Sequence, residues 1–274
     1  MAARDTLNSR RAALGAIAAA AALAGALPAR AAQKIRVGIR GGIGEELWAE
    51  VAQIAKGRGL DLQLVVLGGQ VSPNEALNNG DLEANAFQHV PFLRDQIQQR
   101  GYKIVSVGNT LIAPIAFYSK TYKSLEALPA GARVGIPNDP SNQTRALVIL
   151  RDHGLIALRD GFDPYTQTAG LADVKANPRR LQLVASASAV LARAVQDLDA
   201  AAVINTFAYQ AGLLATRDGI AIEKKENNPY VNIIAVRERD KDAPWVRPLV
   251  ESFQNERIRR FIETKYEGTL IPAF

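Results

Sequence analysis

Cysteine is absent from the 274 residues. That excludes disulfides, thiolate metal sites and a lipid anchor attached through a mature N-terminal cysteine. Histidine occurs twice, at His89 and His153, too few for a His-rich metal centre. Enzyme signatures are missing as well: no G-x-S-x-G elbow, no H-E-x-x-H and no Walker loop. No short repeat, low-complexity stretch or heptad run follows residue 31. The longest apolar run, 12–27, is short and Ala-rich, so it reads poorly as a permanent membrane span.

That run has a different logic. Arg4, Arg10 and Arg11 make a positive start, Pro28 breaks the run, and Ala29-Arg30-Ala31 offers a small-x-small cleavage pattern. This is the layout of a secretory signal, expected over 1–31. Ser9-Arg10-Arg11 hints at the twin-arginine route, but the bulky residue usual after the pair is missing, so the general secretory route stays open. The expected location is the periplasm, without a lipid anchor through cysteine.

The formal charge of +6 comes from 33 Lys and Arg against 27 Asp and Glu. Four Arg and one Asp fall in 1–31, which leaves 29 basic and 26 acidic residues, a net +3. The basic residues are scattered, and Arg179-Arg180 and the 257–260 cluster read as solvated helix surface. No Lys/Arg stripe with interleaved aromatics marks a nucleic-acid face. No nucleic-acid partner is expected.

Beyond residue 31, strand and helix patterns alternate. Strands are expected at 34–39, 62–67, 82–87 and 103–107, with helices at 45–56, 73–79 and 91–100. The rhythm restarts at 133–136, a strand, followed by a turn at 137–142 and a helix at 144–153. Then come strands at 181–185 and 200–204 around a helix at 188–198, a strand at 231–236 and helical pattern at 245–265. Such alternation predicts an α/β fold with mostly parallel sheets. Two runs of it suggest two lobes, with 111–118 and 230–236 as crossing segments. The resulting expectation is a two-lobe clamshell that closes by a hinge, and pattern alone leaves a single doubly wound domain open. The lobes are placed at 32–112 with 235–274, and at 113–234.

Candidate functional residues sit where strands end. Residues 138–145 (NDPSNQTR) follow a strand and open a helix. Ser141 or Asn142 is expected to cap it, and its exposed N–H groups favour an anion. Arg145 is expected in the first turn, where a cation opposes the helix dipole. It therefore needs a partner, such as a ligand carboxylate held bidentately, unless it simply points outward. Residues 85–92 also follow a strand, at the edge where open α/β sheets bind ligands. Phe87, His89 and Phe92 there are either pocket walls or core. Asn205 follows the strand at 200–204. Asn232 lies inside an apolar strand, where an amide needs a partner, either a ligand or backbone. Gly42-Ile43-Gly44 reads as a strand-to-helix turn rather than a dinucleotide fingerprint, and His153 as a structural helix-end residue.

Longer stretches carry a resemblance. GDLEANAFQHVPFL (80–93), GYKIVSVGNT (101–110), VGIPNDPSNQTRAL (134–147), AAVINTFAYQAGL (201–213), NPYVNIIAVRERDKD (228–242) and KYEGTLIPAF (265–274) resemble the methionine-binding proteins of ABC importers. The resemblance implies a periplasmic binding fold without catalytic activity or cofactor. It implies a small amino acid as ligand, importer membrane subunits as partners, and a monomer. Arg145 would then pair with the ligand carboxylate, with Asn142, Asn205 and Asn232 holding the amino-acid end and Phe87, His89 and Phe92 around the side chain. Gln70 stands where relatives tend to carry Tyr, and Phe92 where Tyr is common. These changes leave a different or more polar amino acid, or a dipeptide, as the alternative ligand. A periplasmic enzyme using His89 as base and a sensory module are the alternatives of another class.

Overall fold

A computed structural model describes residues 32–68, 72–266 and 268–274. The expected signal at 1–31 and Gln70 lie outside these residues. Gln33–Phe274 holds together as one unit, built on two sheets.

The chain opens with β1 (Gln33–Ile39), α1 (Ile43–Lys56), β2 (Leu60–Val66), α2 (Pro73–Asn79), β3 (Ala84–His89), α3 (Val90–Arg100) and β4 (Ile104–Ile112). It continues through β5 (Ala116–Tyr118), β6 (Arg133–Pro137), α4 (Pro140–Asp152), β7 (Ala157–Leu158), β8 (Val174–Ala176) and β9 (Gln182–Ser186). Then follow α5 (Ser188–Ala194), β10 (Ala200–Val203), α6 (Asn205–Gln210), α7 (Ala215–Asp218) and β11 (Gly219–Ile222). The last elements are β12 (Val231–Arg237), α8 (Val246–Phe253), α9 (Glu256–Tyr266) and β13 (Ile271–Pro272).

One sheet has the order β13-β4-β12-β3-β1-β2 and the other β11-β5-β10-β6-β9, and β7 pairs with β8 alone. This is the two-lobe α/β architecture that the strand and helix rhythm predicts, with one correction. The sheets are mixed rather than mostly parallel. Only β1/β2, β1/β3, β6/β10 and β6/β9 run parallel. Strand β12 enters antiparallel between β3 and β4, and β5 is antiparallel to both β10 and β11. A long crossover from the second sheet brings β12 back into the first.

The apolar runs are explained by burial on both faces. In β12, Ile234 and Val236 face the core formed with α1, α8 and α9, while Ile233 and Ala235 face Leu77, Leu82 and Leu93. In β10, Ala200 and Ala202 face Leu147 and Leu150, while Ala201 and Val203 face Leu191. Strand β2 differs. It is an edge strand with Gln63 exposed and Val66 45% exposed, so its apolar run is not covered on both faces. Helix α1 buries Leu47, Trp48, Val51 and Ala55 on one stripe, with Glu45 and Glu46 favourably placed at its positive end. Gly42 enters it with φ 74°, a conformation that suits glycine and accounts for the turn. Among the described residues no helix is long and apolar enough to cross a membrane.

Candidate functional site

The carboxyl ends of β1, β3, β6 and β10 and the starts of α3, α4 and α6 surround one cavity of about 230 Å³. Its size suits a small metabolite, since drug-sized ligands occupy ~300–1,000 Å³. Phe87, His89, Phe92, Asn142, Arg145 and Asn232 all line it. Asn205 borders an adjoining recess that shares Arg40, Phe87 and Asn232 with the cavity.

The start of α4 organises the site. Pro140 opens the helix and Asp139 caps it, accepting the Asn142 backbone N–H at 3.0 Å. The cap is thus Asp139, not Ser141 or Asn142, and the helix starts four residues earlier than the pattern predicts. Proline at the first helical position explains why: it lacks the N–H that a helix start leaves unpaired. Arg145 consequently sits in the second turn. Asp139 also accepts hydrogen bonds from the Ser141 hydroxyl and the Asn142 amide, at 3.1 and 2.9 Å.

Arg145 is 2% exposed and has a protein partner that the sequence reading missed. Its Nε and Nη2 groups donate to the two Glu223 carboxylate oxygens at 2.8 and 2.6 Å. Nη2 also donates to the Ala113 carbonyl at 2.9 Å, and Nη1 to the Asn142 side-chain oxygen at 3.2 Å. The guanidinium has five N–H donors. These bonds use four, so one Nη1–H has no protein acceptor among the described residues. Burial alone would lower the Arg145 pKa. The Glu223 carboxylate outweighs it, and the value is raised. The Tyr230 ring lies under the guanidinium, 4.7 Å from ring centre to Cζ.

His89 sits at the junction of the two sheets. It caps α3, accepting the Phe92 N–H at Nδ1, 3.1 Å away. With Nδ1 an acceptor, the neutral ring carries its proton on Nε2, which donates to the Asn142 oxygen at 3.2 Å. Burial, then the nearby Arg145 charge, pushes its pKa down to about 3. Rings pack around it: Tyr230 at 5.1 Å and Phe92 at 6.1 Å, both edge to face. Phe87 meets Phe92 at 6.0 Å.

Behind β3 lies a buried amide cluster. Asn74 and Gln88 exchange hydrogen bonds at 2.7 and 2.6 Å, and the Asn85 amide donates to Asn74 at 2.9 Å. These bonds fix the strand end that presents Gln88 and His89 to the cavity. Asn205 is buried and donates to the Thr269 carbonyl at 3.1 Å. Asn232 lies opposite His89 in the β3/β12 register, and its amide makes no hydrogen bond among the described residues.

The sequence reading missed Asp139 and Arg40 in the cavity wall, and Glu223 and Tyr230 packed against Arg145. Asp139 was legible as an acid before Pro140. Glu223 carried a weaker signal, one charge at the end of the apolar 219–222 strand. The chemistry that results is recognition: a polar end of Arg145, Asn142, Asp139 and Asn232 faces an aromatic end of Phe87 and Phe92. No cluster of three or more metal-ligating side chains occurs among the described residues.

Comparison with known proteins gives this geometry its context. A family model described as NlpA lipoprotein matches residues 35–274. The chain is 44% identical over 244 residues to a protein named D-methionine-binding lipoprotein MetQ of Escherichia coli K12, covering 88% of each chain. A Burkholderia cenocepacia structure, a nutrient-binding protein bound to methionine, superposes with TM-score 0.84 at 43% identity, over 88% of this chain and all of that one. A Coxiella burnetii periplasmic substrate-binding protein of an ABC transporter gives TM-score 0.82 at 38% identity, over 87% and 100%. The three proteins just named are described by what they bind. One expectation is overturned by these names. The sequence reading put the chain in the periplasm without a lipid anchor, from its lack of cysteine. The family and its curated members are lipoproteins, so that inference from an absent residue does not hold.

Proposed function

The chain belongs to the NlpA lipoprotein family, and on that footing we propose that it is the substrate-binding component of an ABC importer, capturing methionine or a closely related amino acid. The observation that carries this reading is the unused Nη1–H of Arg145 at the wall of the cavity. A buried donor without a partner is costly, and a ligand carboxylate removes that cost with a charge-assisted bond. Asn142 and Asn232 hold the rest of the amino-acid end. Asp139 lines the same wall and favours the ammonium group. Asn205 supports the recess beside them. Phe87, His89 and Phe92 enclose the side chain.

The lobes are 32–112 with 235–274, and 113–234, and the ligand sits where they meet. Closure over the ligand makes the form that the importer's membrane subunits recognise. The protein has no catalytic step. His89, the candidate base, has its basic nitrogen occupied by the Phe92 N–H. The protein works as a monomer and without nucleic acid. The Arg257 to Arg260 cluster supports the second point, because Arg257 pairs with Glu50 and Arg259 and Arg260 face Glu256.

Native mass spectrometry of the purified protein, with any released ligand identified, tests the reading. Methionine or a related amino acid in the released fraction is expected. If calorimetry with both enantiomers of the amino acids also finds no binding, the transport reading fails.

A further inference from the structure

We infer that Arg40 reads the side chain of the bound amino acid and selects one that ends in an oxyanion. This rests on the amino-acid reading above and narrows its substrate class. Arg40 directly follows β1 and lines both the cavity and its recess. Its Nη1 group donates to the Leu67 and Gly68 carbonyls at 2.9 and 3.3 Å, and its Cζ lies 5.4 Å from the Phe87 ring centre. The guanidinium is thereby anchored at the aromatic end of the site, while the α4 start with Arg145 and Asp139 forms the other end.

Its charge is not balanced. Arg145 has Glu223 and Arg237 has Asp240, yet no carboxylate lies within 4.0 Å of Arg40 among the described residues. The neighbouring 69–71 segment carries no acid either. The Nε and Nη2 donors have no acceptor among the described residues. Partial burial lowers the Arg40 pKa, and no carboxylate acts to raise it again. His89, in the same cavity wall, is neutral and supplies no negative charge.

A thioether is a weak acceptor and leaves such a group unsatisfied. A carboxylate or sulfonate at the end of a side chain of methionine length meets the guanidinium fork with two bonds. The ligand class is therefore an α-amino acid with a terminal side-chain oxyanion.

Calorimetric titration with glutamate, homocysteate and methionine, each in both enantiomers, tests this on the parent protein and on Arg40→Met and Arg40→Lys. Glutamate separates a carboxylate from the homocysteate sulfonate. The parent is expected to bind one of these at least tenfold tighter than methionine. Arg40→Met should move that ratio at least tenfold toward methionine, with Arg40→Lys between. A parent that prefers methionine tenfold overturns the inference while leaving the importer reading intact, and needs no folded variant to decide. Equal weakening of all three ligands by Arg40→Met also overturns it, by moving Arg40 to the α-carboxylate. If no amino acid binds the parent, the importer reading itself has failed.

Discussion

At the scale of single residues, His89 links the site to pH. Its folded pKa, about 3, is depressed by burial and by Arg145 from an ordinary value of 6.5. In the unfolded chain the ring takes up a proton below 6.5, whereas in the folded chain it does not. Stability is therefore complete above pH 6.5 and falls as pH drops toward 3. The loss approaches ~1.4 kcal/mol per pH unit within that window, on the order of a few kcal/mol in all. Urea unfolding of the parent and of His89→Gln between pH 7 and 4 measures this, and the variant is expected to show a flatter dependence. A parallel pair of curves removes His89 as the cause.

Arg145 and Glu223 form a buried pair, 2% and 8% exposed. Removing one partner strands the other charge, at a cost of ~3–5 kcal/mol. Arg145→Ala is thus expected to lose ligand and also to melt earlier. Arg145→Ala with Glu223→Ala should recover part of the stability but no binding. If the double variant is no more stable than Arg145→Ala alone, the stranded carboxylate is not the source of the loss. Arg145, Asn142 and the three rings were legible because each stands beside a strand end, and strand ends in such sheets converge; Asn232 was legible as an amide inside an apolar strand. Glu223 was not, because its role depends on β11 lying beside β5, and nothing local in sequence announces that pairing.

At the scale of elements, α4 shows how a terminus builds a site. Asp139 holds the first turn and, through Asn142, the groups that meet Arg145 and His89. Asp139→Ala is expected to cost ~1 kcal/mol from the lost cap and to weaken binding as well, since Asn142 loses its restraint. Denaturant unfolding and calorimetry together check both. Unchanged binding would show that Asn142 is held in place by Arg145 and His89 alone. Most elements were legible from apolar periodicity, because buried strands such as β6 and β12 are continuous apolar runs and α1 has a clear stripe. Strand β5 was swallowed by one long apolar segment, 111–118, which the structure breaks between Ile112 and Ala116. The pair β7 and β8 lies in a polar stretch with no period to detect. Strand direction was misread because it is set by crossover, not by composition.

At the scale of the molecule, the first and second sheets touch beyond the cavity. The Tyr209 hydroxyl of α6 lies 3.1 Å from both Glu46 oxygens of α1, and the Gln210 amide donates to the Gly41 carbonyl at 3.1 Å. Tyr266 and Lys265, on the same side as Glu46, hold its carboxylate in place for Tyr209. These contacts are half-exposed, so each is worth little alone. On the proposed hinge reading, the Tyr209 and Gln210 contacts favour the arrangement in which the lobes are closed. Tyr209→Phe is expected to weaken ligand affinity by up to about fivefold, roughly 1 kcal/mol, without altering the cavity wall. Calorimetry checks this, and an unchanged affinity would place these contacts outside the closing equilibrium.

Strand β12 completes the first sheet from the far end of the chain, between β3 and β4, and α8 and α9 then cover its face. A ribosome releases residues 33–112 long before 231–266. Until the later segment emerges, β3 and β4 lack the strand that joins them, and Val37, Leu47 and Val51 lack part of their cover. Contacts this distant in sequence form slowly. The nascent chain therefore cannot complete its first sheet through most of its synthesis, and its core closes only when its last segment arrives.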